Sequence, residues 1–175
     1  LALLVTIGLP SFAALVEKNR LTALLDELHH TLQEARTQAV TQTRTIEVCA
    51  YKQGTTCGTN WSDGWILRTA GTQEPLHINT SSYTEGSVHW SGYSKTIRFR
   101  SNGSSPTSNG RLIVCGHREL IGQLVINRQG RIRQGSSEEN RAEQKPEQEP
   151  FNLRKAMAFY AALGFTNNPH FTDDT

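Results

Sequence analysis

The chain has 175 residues, 36% of them apolar and 19% charged, a formal net charge of +2 and three cysteines. That length suits one core with an appendage, and the mean hydropathy of −0.49 reflects a polar C-terminal end. The sequence contains no Cys-x-x-Cys pair, no Gly-x-Ser-x-Gly element and no Walker-type glycine loop, which excludes the usual zinc sites, nucleophile elbows and nucleotide-binding loops.

Leu1–Val16 (LALLVTIGLPSFAALV) holds no charge. It is too short to cross a bilayer, which takes about 20 residues of helix, and reads as the remaining part of a membrane helix whose start lies outside the chain. Pro10 is expected to kink it. Leu21, Leu24, Leu25, Leu28, Leu32, Ala35 and Ala39 then recur at spacings of three and four, with charged residues between them. One helix is therefore expected to run from a lipid-like half into an amphipathic half that covers a soluble core.

From Thr43 onward short β-prone runs alternate with Gly, Ser, Asn and Thr. They span residues 45–50, 64–68, 76–79, 88–90, 96–100, 111–115 and 120–127. The spacing predicts antiparallel sheet and an α+β fold. Cys49 and Cys57 flank a loop whose Gly54 lets the ends meet, so they are expected to pair and leave Cys115 buried and free. The alternative is three reduced core cysteines. Residues 136–150 (SSEENRAEQKPEQEP) predict a disordered acidic linker, and residues 151–165 a short helix followed by a tail. The organisation expected is a helix segment over 1–16, a head over 17–135, a linker over 136–150 and a helix with tail over 151–175.

Several pieces, in order, resemble the FimT/GspH family of type IV minor pilins and pseudopilins. They are Leu9-Pro10-Ser11-Phe12, Asn19-Arg20-Leu21, Glu34-Ala35-Arg36 with Ala39-Val40, Val48-Cys49 with Gly54-Thr55-Thr56-Cys57, and Trp61-Ser62-Asp63-Gly64-Trp65-Ile66. Arg111 to Cys115 and Leu124 to Arg133 complete the likeness, which covers residues 1–135. The resemblance implies a type IV pilin-like fold and a prepilin leader that is cleaved and N-methylated. It also implies anchoring in the bacterial inner membrane with the head in the periplasm, then entry into a surface pilus whose major and minor pilins pack through the N-terminal helix.

Charge is divided along the chain. Residues 1–135 carry 14 Lys+Arg against 9 Asp+Glu, residues 136–175 carry 4 against 7, and residues 86–135 alone carry 8 against 1. A basic block beside an acidic end points to a polyanionic partner or to an ordinary solvated sheet. In Gly130-Arg131-Ile132-Arg133 an extended backbone would place both arginines on one face about 6.5–7 Å apart, comparable to successive phosphates. Arginine forks suit phosphate oxygens. FimT-type subunits of naturally transformable bacteria carry a Gly-Arg-x-Arg element at this place, and that likeness implies capture of DNA through its phosphate backbone. Arg131, Arg133, Gly130, Arg128, Arg98, Arg100 and Arg111 are the candidate DNA-binding residues. The other readings are a minor pilin that only primes assembly and a type II secretion pseudopilin of the GspH type.

No catalytic residue, metal or cofactor is expected. His29 and His30 are adjacent on a helix and point about 100° apart, so they cannot chelate together, and His77, His89 and His117 are scattered. Trp61 and Trp65 flank a turn; they read first as aromatics stapling loop to sheet and second as a stacking platform for bases.

Overall fold

The computed structural model describes the backbone of residues 2–72, 74–80, 86–117 and 119–144, and the side chains of these from Phe12 to Glu143. Helix α1 spans Ala2–Thr41, and its helical run is unbroken at Pro10. Every residue of the expected apolar stripe is buried, with Leu28, Leu32, Ala35 and Ala39 fully so. The helix ends where Thr43 takes a left-handed conformation, φ 52. There the amides of Thr43 and Arg44 donate back to the carbonyls of Val40 and Ala39 at 3.3 and 3.2 Å, the paired bonds of a Schellman ending. Among the described residues no helix is long and apolar enough to cross a membrane.

The strands are β1 (Ile46–Ala50), β2 (Trp65–Thr69), β3 (Pro75–Asn79), β4 (Gly86–Gly92), β5 (Ile97–Phe99), β6 (Gly110–Gly116), β7 (Leu120–Ile126) and β8 (Ile132–Gln134). They form two four-stranded sheets, in the orders β3-β2-β1-β5 and β4-β6-β7-β8, and every described pairing is antiparallel. The α+β fold expected from the periodicity change near Thr43 is the fold observed, and the long helix against antiparallel sheets is the pilin-like layout that the resemblance implies. β8 is the strand missing from the sequence-based expectation: three residues with one apolar side chain give too little alternation to register.

Both sheets serve one core, to which alternate residues of their strands contribute. Ile46, Val48, Trp65, Leu67, Ile97 and Phe99 of the first sheet join Val88, Leu112, Val114, Leu124 and Ile126 of the second against the α1 leucines. The approach to α1 is close at Gly122, where a Cβ would come within 2.6 Å of Leu25 Cδ2. Trp65 is fully buried and donates its indole N–H to Thr31 Oγ1 on α1 at 3.2 Å. Trp61 is buried as well and stacks obliquely on Trp90. The stapling role holds for both tryptophans, and neither offers an open face to a base.

Cys49 and Cys57 form the expected disulfide, and Cys115 is free but half-buried instead of buried. The loop closed by the disulfide lies on the first sheet: the Thr55 carbonyl accepts from Arg68 Nη1 at 3.0 Å.

The expected disordered linker is corrected in its first part. Ser137–Gln144 is helix α2, and the compact unit of the head reaches Gln144. The reason is a capping box, Ser136-Ser137-Glu138-Glu139. Ser136 Oγ accepts from the Glu139 amide at 3.2 Å, while the Glu139 carboxylate accepts from the Ser136 amide at 2.8 Å. Composition alone hides this, because the same Ser and Glu residues that mark disorder also cap a helix. The rest of the linker and the helix expected over 151–165 lie outside the described residues.

Candidate nucleic-acid interface

The turn between β7 and β8 is built by Asn127 and Gly130. The Gly130 amide donates to the Asn127 carbonyl at 2.9 Å, and Asn127 Oδ1 accepts from the Arg131 amide at 2.9 Å. Gly130 adopts φ 76, a conformation that suits glycine. It also abuts the β5–β6 loop so closely that a Cβ there would overlap the Gly103 carbonyl oxygen. That same oxygen accepts from Arg36 Nε of α1 at 3.1 Å, and the Arg128 carbonyl accepts from the Ser105 amide at 2.9 Å. Three segments distant in sequence thus meet at the Gly103–Gly130 junction.

Four exposed arginines ring this junction: Arg36, Arg100, Arg128 and Arg131. Arg100 belongs to it through its backbone, which pairs with Gly103 at 2.7 Å and with Ser104 at 2.8 Å. None of the four forms an ion pair among the described residues. Arg36 is the residue sequence reasoning missed. Its helix lies 67 positions from Gly103 in the chain, and no local pattern announces the meeting.

The remaining arginines among the candidates are engaged. Arg98 lies on the first sheet and donates to Glu47 Oε2 at 2.9 Å, and Arg68 donates to Glu47 Oε1 at 2.7 Å. Glu47 is buried, with 2% of its side chain exposed, so these two guanidiniums neutralise a carboxylate inside the protein. Arg98 therefore stands apart from the turn, on a different sheet.

Arg133 and Arg111 face α2. Arg133 makes a bidentate pair with Glu139, Nη1 to Oε2 at 2.8 Å and Nη2 to Oε1 at 2.7 Å. That pairing, with the Ser136 amide, lowers the Glu139 carboxyl to about 2 and raises the Arg133 guanidinium above its ordinary value. Arg111 Nη1 sits 3.8 Å from Glu143 and 3.3 Å from Gln123 Oε1. The buried Gln123 donates in turn to Asn140 Oδ1 at 3.1 Å.

Among the described residues no three His, Cys, Asp or Glu side chains converge as a metal site would require. Burial, and then Glu143, push the Cys115 thiol up, opposite to what an activated nucleophile needs. An open groove of about 780 Å³ lies between the disulfide loop and residues 95–96, lined among others by Lys52, Asp63 and Lys95. It contains none of the candidate arginines.

Comparison with known proteins gives the family. The model of the type II transport protein GspH matches residues 24–130. The structure is similar to crystal structures of the type IV minor pilin FimU of Pseudomonas aeruginosa in two crystal forms. The first is 24% identical with a TM-score of 0.58, over 71% of this chain and 94% of that one. The second is also 24% identical with a TM-score of 0.54, over 67% and 94%. No protein of curated function matches the sequence. With the α1 stripe, the paired sheets and a family match over most of the head, the chain belongs to the GspH family of minor pilins and pseudopilins.

Proposed function

We propose that this subunit is a minor pilin of a type IV pilus that binds DNA through its phosphate backbone, without reading sequence, in natural transformation. The observation that carries the reading is the group of exposed arginines Arg36, Arg100, Arg128 and Arg131 around the Gly103–Gly130 junction, which form no ion pair among the described residues. Exposed guanidiniums with no carboxylate partner among the described residues can meet phosphate oxygens, Arg36 through the terminal nitrogens beyond the Nε it gives to Gly103, and such interactions fix position but carry no base information. Arg133 and Arg111 border this surface on the β8 side, where α2 engages them. Before assembly the N-terminal part of α1 would sit in the inner membrane, with the head in the periplasm; in the filament that part would pack against other pilins.

Fluorescence anisotropy with a short duplex over a salt series tests this. Wild type should bind in the micromolar range, equally for unrelated sequences. Arg128→Gln with Arg131→Gln should weaken binding and flatten the slope of log K against log salt by roughly 0.9 for each phosphate no longer neutralised. Equal affinity and equal slope in the two proteins would reject the DNA reading.

The description of the matching family as a type II transport protein favours a second reading, a secretion pseudopilin whose arginine-rich end meets another subunit. Incorporation of the double variant into filaments separates the two. It should be normal for a DNA-binding pilin and impaired if the arginines hold a neighbouring subunit.

A further inference from the structure

The acidic helix α2 lies on the arginines at the β8 side of the candidate surface. Glu139, Asn140 and Glu143 meet Arg133, Gln123 and Arg111 respectively. Glu143 is a helix-surface neighbour of both others, four residues from Glu139 and three from Asn140, so the three line the side of α2 toward the sheet. The interface is almost wholly polar: Ser137–Gln144 reads SEENRAEQ, with Ala142 its one apolar residue. An eight-residue helix is marginal by itself in water, so α2 depends on its capping box and on these charged partners. The Arg133–Glu139 pair leaves 46% and 26% of the two side chains exposed, which makes it sensitive to salt and open to competition.

We propose that α2 is a displaceable acidic strap that holds Arg133 and Arg111 in place of a polyanion and must lift when the polyanion binds. The inference rests on the DNA reading above. Both terminal nitrogens of Arg133 are committed to the two Glu139 oxygens. A phosphate would be received by that same planar fork, so Arg133 cannot serve both at once. The arginines at the Gly103–Gly130 junction carry no such strap among the described residues, and they would meet the polyanion first. Displacement of α2 would then add Arg133 and Arg111, and Gln123 would exchange Asn140 for water.

The experiment uses the full chain, wild type, Glu139→Gln and Glu138→Gln, with a labelled short DNA duplex in low salt. Glutamine at position 139 keeps the capping box while removing the charge opposite Arg133. Glu138 is exposed, is not part of the Arg133 pair, and its substitution removes the same charge from the same helix. Glu139→Gln should tighten binding about fivefold, the scale on which one exposed ion pair acts, and Glu138→Gln should leave it unchanged. Amide exchange at Ser136 and Asn140 of wild type should speed up on saturation with DNA.

Equal affinities in all three proteins, or equal tightening by both substitutions, would overturn the strap and leave the DNA reading standing. Failure of all three to bind would remove the DNA reading itself, and the strap with it.

Discussion

Glu47 shows how a side chain that alternation places on the outer face of a sheet becomes a structural centre. It pairs with Arg68 and Arg98 from the neighbouring strands, and the two partners are not equivalent: Arg68 is 16% exposed and Arg98 54%. Arg68→Ala should cost about 3 kcal/mol in urea unfolding, because it leaves a buried carboxylate half-compensated. Arg98→Ala should cost about 1 kcal/mol or less. Similar losses in the two would contradict the assignment of Arg68 as the inner partner. This pairing was not legible in the sequence. Thr96 to Arg100 alternates cleanly and places Arg98 outward, but nothing local says that Glu47 and Arg68 share its face. Cys49 and Cys57 were legible because their eight-residue separation and the intervening glycine are local facts. Replacing both by alanine should lower stability by about 2–3 kcal/mol, measured against the oxidised protein.

Among the elements, α1 was the easiest to read. A 3.6-residue stripe needs no knowledge of its partner, and all seven predicted positions are buried. Its ending was not legible, since Thr43 is β-branched and sits where glycine is usual. Thr43→Gly should raise stability by about 0.5–1 kcal/mol, the relief of the left-handed strain less the extra chain entropy of glycine. A loss of stability would show that the threonine side chain makes a compensating interaction. Helix α2 went unread because its cap is encoded in polar residues and its partners, Arg111, Gln123 and Arg133, come from three different strands. Its behaviour in acid follows from Glu139, whose carboxyl lies at about 2 in the fold against an ordinary 4.5. A lowered value means that the ion pair is fully stabilising above about 4.5 and fades as the pH falls through the folded value of about 2. The Arg133 side-chain signal in NMR should therefore keep its paired position at about pH 5 and leave it toward about pH 2. A midpoint near 4.5, the ordinary value, would mean that the carboxylate is not held by the arginine.

For the whole molecule, the basic segment read along the sequence is divided in space. The basic segment does not form one continuous patch. Arg98 is engaged by Glu47, Arg111 and Arg133 meet α2, and Arg36, Arg100, Arg128 and Arg131 surround the Gly103–Gly130 junction. Composition could give the total and the Gly-Arg-Ile-Arg element could give one strand end. Neither could say which arginines are already partnered, because that depends on two sheets closing over one helix.

The most direct test of the account is NMR mapping of the isotope-labelled protein with a short DNA duplex. Amides of Gly103, Ser105 and Arg128 to Arg131 should shift first, and side-chain signals of Arg36, Arg100, Arg128 and Arg131 should shift with them, while those of Lys52, Lys95 and Arg98 stay in place. Shifts centred on the Lys52–Lys95 groove, or no shifts at all in low salt, would contradict it.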